Sequence, residues 1–287
     1  MHLERDRELQ QERLSRWGVR SESTDEHGTI DICLGELERC MRTSTAASFV
    51  FLSGERYGWR ALPPLVSAIE LESILAKMQE SDGKTAIMQW YLRDDNCANG
   101  GQYVLQTISS MKGKPGVKLD NFWGGAQDAM QLAVRRTIQS HPDLEEIGIK
   151  WMVSVTEKEV QAGLLENNEQ DIEFSTLVLM RTIEGLAEAA SSAAGCGSTS
   201  AEVDPWALKY YTPIDDDRAL LDTLRKRVCE RTPKKSMREF NVPWRPGGLS
   251  LDLHAEYLHE ITSAFLADMT DRISVSLEKR PVLSTVR

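Results

Sequence analysis

The chain has 287 residues, enough for one large domain or two ordinary ones with ample core. Hydrophobic residues make up 41% and charged residues 27%, as in soluble globular proteins, and no apolar run approaches the roughly 20 residues needed to cross a bilayer. A net charge of −10 argues against a general nucleic-acid or anionic-membrane surface, which requires clustered positive charge.

The opening MHLERDRELQQERL is charged, is expected to begin helical, and lacks the apolar segment of a secretory signal. The cysteines Cys33, Cys40, Cys97, Cys196 and Cys229 are odd in number, widely spread and without metal-binding spacing, which suits a reducing compartment; a cytoplasmic location is expected. TIDICLGELERCM carries Ile30, Cys33, Leu34, Leu37 and Met41 on one helical stripe. SFVFLSG is a continuous apolar run ended by Ser53 and Gly54, the pattern of a strand buried on both faces in a parallel sheet. LVSAIELESILAKMQ follows the LPP breaker and is predicted as a helix buried through Leu71, Ile74, Leu75 and Met78, which completes a βα alternation. Asp94-Asp95-Asn96 and Asn99-Gly100-Gly101 are turn signals, and the polar SSMKGKPGVKLD is the expected domain boundary.

Beyond it, WGGAQDAMQLAVRRTIQS reads as a helix, and IKWMVSVTEKEVQAGLL as a short strand leading into a helix with Glu157 and Glu159 near its start, where the helix dipole favours anions. SSAAGCGSTSAEVD is expected to be a mobile loop. LRKRVCERTPKKSMR reads as a solvated basic helix end, and a long C-terminal helix carries His254, Leu258, Ile261, Phe265, Met269 and Ile273 on one face.

Several short motifs carry less chemistry than their letters suggest. Gly83-Lys84-Thr85 lacks the first glycine of a phosphate loop and is read as a turn. His254 and His259 lie about 140° apart around a helix and do not converge on a metal; His254 is expected to be a packed, hydrogen-bonded histidine. FWGGAQ is too short for a dinucleotide fingerprint. Glu70 and Glu72 follow the buried strand closely. In a parallel sheet, a carboxylate near the strand mouth can stabilise a cationic transition state; the plainer reading is two solvated helix glutamates. In GERYGW, Gly54 and Gly58 are expected to turn the backbone sharply, with Tyr57 and Trp59 packing over the sheet mouth as a possible binding rim.

In order along the chain, RWGVRSESTDEHGTIDICLGELERC, FVFLSGERYGW, LPPLVSAIELESIL and WYLRDDNCANGGQYVLQ resemble the N-terminal region of the NACHT and WD-repeat-containing proteins, and VSVTEKEVQAGLL, DTLRKRV and VPWRPGGLSLDLHAEYLHEI resemble the segment before the family's NACHT ATPase. The resemblance implies an α/β fold: a TIR-like, flavodoxin-like parallel sheet over 1–110, shortened at its N-terminus by one or two strands, then a mostly helical α+β linker region over 120–287. It implies a non-enzymatic regulatory and interaction module of a cytosolic signalling or assembly protein, without cofactor, engaging a protein partner or a second copy through its sheet edge, and no nucleic acid or membrane. One alternative is a TIR-like NAD glycohydrolase with Glu70, and second Glu72, as the catalytic carboxylate; another is a truncated fragment or isoform without independent function.

Overall fold

A computed structural model describes residues 27–44, 46–97, 100–115, 117, 122–194, 206–211 and 215–279. In chain order these form helix α1 (Thr29–Thr43), strands β1 (Phe49–Ser53) and β2 (Leu65–Ser67), helices α2 (Ala68–Lys77) and α3 (Asp82–Trp90), and strands β3 (Tyr91–Asp94) and β4 (Gln102–Leu105). Helices α4 (Gln127–Ser140), α5 (Glu145–Met152), α6 (Val155–Val160) and α7 (Glu169–Ser175) lead to strand β5 (Thr176–Glu184). Helices α8 (Leu186–Ala194), α9 (Ala207–Tyr210) and α10 (Asp215–Arg231), strand β6 (Met237–Pro243) and helix α11 (Ala255–Lys279) complete the chain. Two compact units result: Met1–Glu36 with Trp59–Val155, and Leu37–Gly58 with Thr156–Arg287. The stretch 109–120, where the sequence reading divides the chain into 1–110 and 120–287, lies inside the first of these units.

The first unit holds an antiparallel sheet of order β2-β4-β3. The β3–β4 hairpin turns through Gly100 and Gly101, whose φ of 85° and 94° a side chain would oppose. Helix α2 is capped by Ser67 Oγ, which accepts the Glu70 N–H at 3.3 Å, and buries Leu71 and Ile74. The Gly83-Lys84-Thr85 stretch is not a turn but the first turn of α3, capped by Ser81 Oγ, which accepts the Lys84 N–H at 3.2 Å. Gly83 lets α3 approach α4: a Cβ there would lie 2.3 Å from the Ala129 carbonyl oxygen. The core pairs Trp90 with Phe122 at 4.5 Å and Tyr91 with Trp151 at 5.8 Å between ring centroids. The strand expected at the start of IKWMVSV is instead the last turn of α5, because Leu144, Gly148 and Trp151 bury at three- and four-residue spacing.

The second unit is built on a parallel sheet of order β1-β5-β6 with β5 central. Its first four residues, Thr176 to Leu179, are all buried, since helices cover both faces. On one face Phe51 and Val178 pack against Val160, Leu164, Leu221 and Leu224. On the other, Leu177, Leu179, Phe240 and Val242 pack under Tyr257, Leu258, Ile261 and Phe265 of α11. The strand buried on both faces is therefore β5; β1, which the apolar run SFVFLSG singled out, is an edge strand with Val50 and Leu52 exposed. The predicted C-terminal helix is present, with His254 just before it and Ile273 exposed on it. The basic stretch is not a solvated end: Arg225 and Arg227 form ion pairs, and Arg231 donates to the Asn167 carbonyl. The expected N-terminal helix, and the start of the chain where one or two strands are expected to be missing, fall on residues 1–26, outside the described residues, as do residues 195–204 of the expected mobile loop; its first residues end α8.

Candidate functional site

The corner quoted as GERYGW leaves the carboxyl end of β1, where ligands bind in open parallel sheets. Ser53, fully buried, and Glu55, 7% exposed, sit against α10. Arg225 Nε donates to Ser53 Oγ at 3.1 Å, and its Nη2 donates to Gly54 O at 2.9 Å, to Glu55 Oε1 at 3.0 Å and to Arg181 O at 3.0 Å. Arg218 donates to Glu55 Oε2 at 3.3 Å while its guanidinium lies 4.6 Å from the centroid of the Tyr211 ring. Tyr57 is buried and donates its hydroxyl to Glu157, whose other oxygen accepts from Arg227 at 2.6 Å. One strand end is thus clamped by two carboxylates and three arginines, a self-satisfied arrangement that holds the chain rather than leaving charged groups open.

Of the two corner glycines, Gly58 has a φ of 104° and needs its freedom, whereas Gly54 does not have positive φ. Gly54 is instead a point of approach: a Cβ there would lie 3.5 Å from Arg181 Nη2. Trp59, expected beside Tyr57 on a rim, is 43% exposed and belongs to the first unit, while Gly54, Tyr57 and Gly58 belong to the second.

Glu70 and Glu72 also lie in the first unit, on α2, so the structure assigns them and β1 to different units. Glu70 Oε1 accepts the Trp151 indole N–H at 3.2 Å and Oε2 pairs with Lys150 at 2.8 Å. Burial, and then the charge of Glu70, push the Tyr91 hydroxyl well above its ordinary pKa; that hydroxyl donates to Pro63 O at 2.7 Å. Glu72 pairs with Arg93 and accepts from the Tyr103 hydroxyl at 3.2 Å. Both glutamates tie α2 to its surroundings. An open groove of about 630 Å³ between the α2–α3 link and α4 is lined by Met78, Gly83, Leu132, Arg136 and His141, and neither glutamate lines it.

His254 is a packed histidine: Nδ1 accepts the Ser250 N–H at 3.1 Å and Nε2 lies 3.2 Å from Pro243 O, while His259 is exposed. Among the described residues, no group of three or more His, Cys, Asp or Glu is placed to hold a metal ion, and no helix is long and apolar enough to cross a membrane. Sequence reasoning missed Glu55, Arg181, Arg218 and Arg225. Glu55 meets Arg218 and Arg225 from more than a hundred residues away, and no local spacing signals such a pair. Strands β5 and β6, which complete the sheet, were missed with them.

The chain is 25% identical over 283 residues to the NACHT domain- and WD repeat-containing protein 1 of Mus musculus, a match covering 92% of this chain and 16% of that protein. The Homo sapiens protein of the same name is 24% identical over 280 residues, with the same coverage. The NACHT and WD repeat domain-containing protein 2 of Mus musculus is 34% identical over 89 residues, 31% of this chain and 5% of that protein. No family model matches the chain, and no solved structure matches it significantly. The chain spans about a sixth of the length of the first two of these relatives.

Proposed function

We propose, from the premise that the chain is a member of the NACHT and WD-repeat domain-containing family, that it is a non-enzymatic regulatory and protein-interaction module of a cytosolic signalling or assembly protein. In this reading the parallel sheet is the core of a TIR-like, flavodoxin-like fold and meets a protein partner, or a second copy, through its β1 edge. The observation that carries it is the position of β1: an edge strand whose Val50 and Leu52 are exposed. The engagement of Glu70 with Lys150 and Trp151, and of Glu72 with Arg93 and Tyr103, supports a structural role for both carboxylates. No cofactor is needed.

NAD turnover by the purified chain, beside Glu70→Gln and Glu72→Gln variants, tests this reading. Glu70→Gln keeps an oxygen to accept the Trp151 N–H. The expected outcome is no nicotinamide release from any of the three proteins, each shown by circular dichroism to be folded. Release lost only in Glu70→Gln would replace the interaction module with an NAD glycohydrolase.

A further inference from the structure

We propose that the β1 edge receives an extended segment of a different protein, one that lays apolar side chains over Val50 and Leu52 and pairs a carboxylate with Arg181. The proposal rests on the interaction-module reading and adds the chemistry of the partner.

Val50 pairs in register with Leu177, and Leu52 with Leu179, so these four side chains share one face of the sheet. On that face α11 covers Leu177 and Leu179, which are 0% and 4% exposed, but leaves Val50 at 40% and Leu52 at 49%. No described strand pairs with the outer edge of β1, and an extended segment can add to such an edge.

Arg181 stands two residues beyond Leu179 and so on the same face. Among the described residues its side chain has no carboxylate or hydrogen-bond partner, and its Nε is a buried donor left unsatisfied. Such a donor is costly until an acceptor arrives. Beside it, just past the end of β1, comes Gly54, where Arg181 Nη2 lies 3.5 Å from where a Cβ would be. A neighbouring strand adds about 4.8 Å, a gap that an Asp or Glu side chain on it can span from the far side. Arg225 and Arg218, by contrast, are already held by Glu55, whereas Arg181 has no carboxylate among the described residues. A second copy can add its own β1, SFVFLSG, which carries no acid, or its other edge strand β6, MREFNVP, whose Glu239 lies on the face opposite Phe240 and Val242. Neither edge strand sets an acid on the same face as two successive apolar side chains, so the match selects a different chain.

Selection of a displayed library of random ten-residue peptides against the full chain tests the proposal. The expected result is enrichment of peptides with alternating apolar residues and an Asp or Glu toward one end. A synthesised representative is expected to lose at least about tenfold in affinity when its acid becomes the amide, and by a similar factor against Arg181→Gln. Leu52→Lys is expected to abolish binding. Because the amide analogue leaves the protein unchanged, the test survives even if a protein variant fails to fold. No enrichment, enrichment without an acid, binding indifferent to Arg181→Gln or Leu52→Lys, or a dimer of the chain that occupies the edge in its place would overturn the proposal. Nicotinamide release reports separately on the underlying reading, so the two failures are distinguishable.

Discussion

Glu55 is a nearly buried carboxylate between two guanidiniums, and its surroundings make it costly to remove. Truncating one member of such a group leaves the others desolvated and uncompensated. Glu55→Ala is expected to destabilise the second unit by about 3 kcal/mol, read as a lower midpoint in urea with an unchanged slope. Exposed pairs such as Lys226 with Glu230 should contribute nothing measurable by the same assay. Glu159 shows the opposite balance. Burial raises its carboxyl pKa above the ordinary value, so the folded chain holds its proton to higher pH than the unfolded chain does. Its cost to stability is absent below the unfolded pKa and fully present above the folded one. Glu159→Gln is therefore expected to raise the melting temperature at pH 7.5 and leave it nearly unchanged at pH 4. A rise of equal size at both pH values would rule out this linkage.

Elements are joined here by close approach as much as by apolar stripes. Gly83 in α3 faces Ala129 and Ala133 of α4, and an added Cβ would lie 2.3 Å from a backbone oxygen, which cannot move aside as a flexible side chain can. In an isolated helix, alanine would be favoured over glycine by about 1 kcal/mol. Overpacking costs about 1–3 kcal/mol and is expected to win, so Gly83→Ala should lower the midpoint of chemical denaturation. A stabilised Gly83→Ala protein would show that the two helices can separate without penalty. Helices α2 and α11 were legible because each announces itself locally: α2 by Leu71 and Ile74, α11 by Leu258, Ile261 and Phe265. Strand β5 was not. TLVLMRTIE has a short apolar half and a charged half, and its burial comes from helices that the sequence places far from it.

Across the whole molecule, the second unit is assembled from Leu37–Gly58 and the distant Thr156–Arg287, and the first from the segments that flank the shorter of these. A fragment ending at residue 110 would contain β1 without β5 or β6, the strands that complete its sheet. It is expected to show no cooperative thermal transition by far-ultraviolet circular dichroism; a sharp transition would place a self-sufficient fold within 1–110.

Sequence alone determined what depends on near neighbours: the stripes of α1, α2, α4 and α11, the glycine turn between β3 and β4, and the resemblance to the NACHT and WD-repeat family carried by ordered motifs. Tertiary structure decided the rest. SFVFLSG reads the same at an edge as at the centre of a sheet, because apolar content shows that a strand is wanted but not how many neighbours it finds. Only the pairing with Thr176–Met180 put it at the edge, exposed Val50 and Leu52, and set Arg181 beside Gly54. Likewise Glu70 and Glu72 follow β1 closely in sequence yet belong to the other unit, since connectivity limits where a residue can go while packing chooses the place.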